Sequence, residues 1–134
     1  METAAKILIT GGTLCLAVSF VIGFVWSRIR LKDPLRTVPY LELAHRVSLW
    51  EAFMLYGLVF AVTMSELSTG LETLAASLVA ASAAFQISSA VTNFVQGVSD
   101  QFAQRSTGFY LATINSILAT AGVAILLVGV VGAV

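Results

Sequence analysis

The sequence predicts an all-α integral membrane protein, a bundle of four transmembrane helices. Three observations carry this. Of the 134 residues, 58% are hydrophobic and only 10% charged, where soluble domains carry about 25% charge. The mean hydropathy is +0.95. Four apolar segments are each long enough for a membrane span, which takes about 20 residues.

The spans lie at about residues 7–26, 47–64, 71–95 and 109–134. The first is too long and unbroken for a signal-peptide core, and no small-residue cleavage site follows it. None of the four alternates as a strand would. Helices satisfy every backbone group internally, as lipid demands. The length allows one compact domain, 1–134. The loops fall at residues 27–46, 65–70 and 99–108, short enough to make neighbouring helices antiparallel, and the first holds both Pro34 and Pro39. The last few residues of that loop can already belong to the second helix. Gly11, Ala75, Ala76, Ala80, Ala81, Gly129 and Gly132 are small residues that let helix backbones approach closely. Trp26, Tyr40 and Trp50 read as interfacial aromatics.

Basic residues set the orientation. The first loop carries Arg28, Arg30, Lys32, Arg36 and Arg46, and the third carries Arg105. The opposite side has only Lys6. The positive-inside rule puts the first and third loops in the cytoplasm and both termini outside. The net charge is zero, so nothing points to nucleic acid. The one cysteine, Cys15, has no internal disulfide partner and reads as packing.

Polar residues within the spans cluster toward the cytoplasmic half. His45, the only histidine, heads the second span, and Glu51 lies six residues on, about 9 Å deeper and turned by about 120°. An ionisable group in an apolar span tends to face a bundle interior or cavity. In the third span Ser82, Gln86, Ser89, Asn93 and Gln96 recur at spacings of four, three, four and three, which places them on one helix face. The fourth span opens with Tyr110, Thr113, Asn115, Ser116 and Thr120, and has no polar side chain after residue 121.

Each feature also has a plainer reading. The histidine can sit at headgroup level, Glu51 can pair across helices, and Asn and Gln commonly hydrogen-bond between helices for about 0.6 kcal/mol each. No Ser or Thr has a His or acid at nucleophilic spacing, so a hydrolase triad is unsupported. One histidine without a cysteine cluster or carboxylate pair argues against a zinc or di-iron site. A lone histidine still suffices as one axial ligand of haem.

The chain resembles the small membrane isomerases that include hydroxylaminobenzene mutase and styrene oxide isomerase. The likeness covers nearly the whole chain. It begins with Gly12-Thr13-Leu14 and Gly23-Phe24-Val25, and continues into Ala44-His45. It resumes at the Asn93 end of the third span and at Ala112-Thr113-Ile114-Asn115-Ser116-Ile117-Leu118. It implies a homotrimer in a bacterial inner membrane, with haem b between subunits and His45 as axial ligand to the iron. The implied chemistry is a rearrangement without net redox change on a small apolar aromatic substrate. Aryl hydroxylamine would give aminophenol, or aryl epoxide would give aldehyde, with haem iron as Lewis acid. Glu51, Asn93 and Asn115 are the candidate catalytic residues, and Gln86, Ser89 and Ser116 the candidate pocket residues. Relatives have Asn-Gly where this chain has Glu51-Ala52, and the styrene oxide isomerases have Asp and Tyr nearest Gln86 and Phe94.

Two other classes compete. Small multidrug-type transporters also have four helices, but rely on a glutamate in the first helix, where this chain has none. A non-catalytic membrane subunit would use its polar residues for packing alone.

Overall fold

The computed structural model describes residues 2–133. It consists of α1 (Thr3–Lys32), α2 (Pro39–Thr63), α3 (Thr69–Val95), the single turn α4 (Gln101–Gln104) and α5 (Thr107–Gly132). The long four are apolar enough to cross a membrane, so the all-α membrane bundle expected from the sequence is what forms. The last residue assigned to the fourth span, 134, lies outside the described residues.

The helices outrun their apolar windows at one end of the bundle. The first continues six residues past Trp26, and the second begins at Pro39, eight residues before the expected start. The connection expected at 27–46 therefore contracts to residues 33–38. The physical reason is that apolarity marks the hydrocarbon core, about 30 Å thick. A helix with 30 residues spans about 45 Å. Arg28, Arg30 and Lys32 thus ride on helix rather than loop. Pro39 opens α2 at N1/N2, where its missing N–H costs nothing. His45 consequently sits in the second turn of α2, not at its first residue.

α3 is the central helix. It packs against α1, α2 and, most extensively, α5, while α1 pairs with α2. α3 is the most buried of the four and α5 the least. Ala75, Ala76, Val79 and Ala83 are at or near zero exposure. Gly122 brings α5 onto this surface. A Cβ there would stand 2.5 Å from a Val79 methyl and 2.9 Å from the Ala75 carbonyl oxygen. Gly11 meets Leu55 and Ala80 where α1, α2 and α3 converge. Gly129 meets Ser65 and Leu67. Ala81 is exposed, and a Cβ at Gly132 would meet nothing within 4 Å among the described residues.

α3 ends in a Schellman motif, with Gly97 at φ 63°. Gly97 N–H donates to the Phe94 carbonyl and Val98 N–H to that of Asn93. Asp100 caps α4 through the Phe102 and Ala103 amides, and Ser106 caps α5 through the Phe109 amide.

Candidate functional site

His45 is half-buried at the contact of α1 with α2. Its Nδ1 lies 2.9 Å from the Ser19 carbonyl oxygen and 3.0 Å from Ser19 Oγ. A carbonyl can only accept, so Nδ1 carries the proton. Ser19 Oγ in turn donates to the His45 carbonyl at 3.2 Å. Nε2 is then the lone-pair nitrogen of the neutral ring. It makes no hydrogen bond to any described residue. Gly23 allows this geometry, since a Cβ there would lie 2.9 Å from His45 Cε1. Trp26 packs on the ring at 5.8 Å between centroids. The tryptophan expected as an interfacial anchor is therefore half-buried against the histidine. Trp50 is 77% exposed on the outer face of α2, and Tyr40 Oη accepts the Gln101 N–H at 3.0 Å.

The polar stripe of α3 does share one face, and that face is turned to α5. Gln86 Oε1 accepts from Asn115 Nδ2 at 2.8 Å, and Ser89 Oγ donates to the Gly108 carbonyl at 2.6 Å. Asn93 is fully buried. Its Nδ2 donates to Gln101 Oε1 at 2.7 Å and its Oδ1 accepts from Ser106 Oγ at 2.6 Å. Ser82 bonds to the Val79 carbonyl within its own helix, and Gln96 reaches Thr107. Ser116 is exposed and turns back to the Ala112 carbonyl. Asn93, Asn115, Gln86 and Ser89 thus meet one another's elements across α3 and α5. His45 belongs to the separate α1/α2 interface.

Glu51 lies on a third face. Its Oε2 is the one buried side-chain oxygen without a hydrogen-bond partner among the described residues. Cys15 of α1 is in the wall of a groove of about 440 Å³ between α1 and α3, with Gly11, Ala80, Ala84, Ser88 and Thr92. Neither the groove nor the contacts of Ser19 and Gly23 with His45 were read from the sequence, where Gly23 entered only through the family resemblance. The available signal was the pair Ser19 and Gly23, four apart on one helix face. Among the described residues, no three His, Cys, Asp or Glu side chains are grouped to hold a metal ion.

The chain matches no protein-family model, no curated protein and no solved structure.

Proposed function

We propose that this integral membrane protein is an isomerase of a small apolar aromatic substrate, with haem b held on His45. The observation that carries the reading is the His45 ring. Its Nδ1 proton is fixed by the Ser19 carbonyl, and its Nε2 has no partner among the described residues. Metal-bound histidines are typically held this way, the second nitrogen donating to a carbonyl or carboxylate. A metal held by side chains alone would need several ligands grouped together, and no such group occurs among the described residues. A porphyrin supplies the remaining ligands itself, so one imidazole suffices. The residues present fit the group.

Bound haem would supply a Lewis acid for the heteroatom of an aryl hydroxylamine or an aryl epoxide. The chain's own part is to hold the imidazole. Ser19 sets its tautomer, Gly23 lets it lie on α1, and Trp26 covers one side of it. The surrounding apolar helices keep water away from reactive intermediates. The family resemblance supports a homotrimer in a bacterial inner membrane. The basic residues at the end bearing the 33–38 connection support a cytoplasmic location for that end.

The test is an ultraviolet–visible spectrum of detergent-purified protein beside His45→Ala, followed by turnover of an aryl hydroxylamine and an aryl epoxide. A Soret band in the wild type, lost or shifted in the variant, is expected. No Soret band after haem supplementation overturns the reading.

A further inference from the structure

We propose that the outer face of α1, at the end bearing the 33–38 connection, binds an anionic glycerophospholipid. Arg28 and Lys32 would meet its phosphate, and Phe24 and Leu31 its acyl chains. The four residues follow one another at spacings of four, three and one, which gathers them within about 100° of one helix face. That face is turned away from the bundle. Phe24 is 67% exposed and Leu31 80%, and Leu14 and Val21, farther along the same face, are exposed too.

The depth of these residues matters. The apolar run of α1 ends at Trp26 and the helix continues to Lys32, so Arg28, Leu31 and Lys32 stand at the level of lipid headgroups. Side chains on a helix lean toward its N-terminus, which here is toward the hydrocarbon. Arg28 does so: its guanidinium lies over the Phe24 ring, 5.9 Å from the centroid. A cation held at that boundary is costly unless an anion meets it.

The described residues supply no such anion. Their one ion pair joins Arg46 to Glu42. Asp33, next to Lys32, accepts the Leu35 amide and pairs with no cation. Arg30 lies on another side of α1 and donates to the Arg36 carbonyl at 3.3 Å. Arg28 and Lys32 are four apart, a spacing at which like charges destabilise a helix. A phosphate between them turns that repulsion into two attractions, and the planar Arg28 guanidinium suits its paired oxygens. Between Arg28 and Arg46 five basic residues stand against two acidic ones, so the surrounding field favours a headgroup of net negative charge over a zwitterionic one. A free anion would satisfy the cations and leave Phe24 and Leu31 uncovered. Cations and apolar side chains on one face select an amphiphile.

The test adds equimolar phosphatidylglycerol and phosphatidylcholine of matched acyl chains to the protein in a neutral detergent, and counts the lipids retained by native mass spectrometry. The wild type should retain phosphatidylglycerol at least about fivefold over phosphatidylcholine, the effect of one basic residue beside anionic lipid. Arg28→Gln combined with Lys32→Gln should bring the ratio near one. Arg30→Gln combined with Arg36→Gln removes the same charge from another side and should keep most of the preference. Inorganic phosphate at the same concentration as the lipid should not displace it. Equal retention of the two lipids by the wild type overturns the proposal. So does equal loss in the two double variants, which would leave a diffuse positive field in place of a site. Displacement by inorganic phosphate would assign the cations to a free anion and overturn the lipid. All four substituted residues are exposed, so the fold should survive each change, and the wild-type ratio decides by itself should a variant fail to purify.

Discussion

Nδ1 of His45 stands 2.9 Å from the carbonyl oxygen of Ser19, and this contact both ties α2 to α1 and sets the proton on the ring. The acceptor is backbone, so removing the serine hydroxyl leaves it in place. Ser19→Ala should therefore have a small effect on haem retention. Gly23→Ala should have a large one. The added Cβ would lie 2.9 Å from Cε1 and 3.1 Å from Nδ1, and the ring must move off the Ser19 carbonyl to accommodate it. Disturbing such an outer-shell contact typically costs about 10–100-fold in metal affinity. Haem titration followed at the Soret band measures both variants. Equal affinity in wild type and Gly23→Ala would show that the ring's seat on α1 does not matter for haem.

Asn93 holds α3 to the connection that follows it. Its amide donates to Gln101 and its carbonyl oxygen accepts from Ser106, which also caps α5. Asn93→Ala removes both bonds at a fully buried position and leaves two partners unsatisfied. Those partners, Gln101 and Ser106, are only partly buried, so the expected loss is about 0.5–1.5 kcal/mol for each bond. Gly108→Ala should destabilise by overpacking, because the new Cβ would collide with the Asn93 side chain. Reversible unfolding in mixed micelles reads both losses. Wild-type stability in Asn93→Ala would mean that water replaces both bonds.

The membrane fold was legible because its signal is length: four apolar runs, each long enough to cross a bilayer, survive any reading of detail. The stripe of Gln86, Ser89 and Asn93 was legible as one face, because helical periodicity fixes relative direction along a single helix. The neighbour it faces was not, since periodicity is silent on which helix packs against which. The shared axial level of His45 and Asn93 suggested a common site, yet α1/α2 and α3/α5 are different interfaces. Pro39 was read as loop, though a proline can open a helix as well as interrupt one. Gly12, Gly23, Gly108 and Gly122 carry close contacts. A lone glycine in an apolar run gives no hint of the side chain that will cover it.

The bond between Asn115 Nδ2 and Gln86 Oε1, at 2.8 Å, joins the middle of α3 to α5. Polar pairs between membrane helices average about 0.6 kcal/mol and reach about 1.7 kcal/mol. A double-mutant cycle on Gln86→Leu and Asn115→Leu should give a coupling energy in that range. A coupling near zero would mean that the two amides find other partners when separated, as they can in a helical bundle.

The 33–38 and 96–106 connections sit at one end of the bundle, where the Gln101 N–H donates to Tyr40 Oη at 3.0 Å. Residues 64–68 join α2 to α3 at the other end. Single cysteines at Leu35, which is 91% exposed, and at Ala103 should therefore be labelled by an impermeant maleimide from the same side of the membrane. A cysteine at Glu66 should be labelled from the opposite side. Cys15 is buried, so replacing it with Ala removes background without adding bulk. The basic residues on the helix ends near 33–38 lead to labelling of positions 35 and 103 only after the cytoplasmic face is opened. Labelling of both in intact cells would reverse the orientation and leave the bundle standing. Labelling of 35 and 103 from opposite sides would break the bundle itself, because α2 and α3 could not then both span between them.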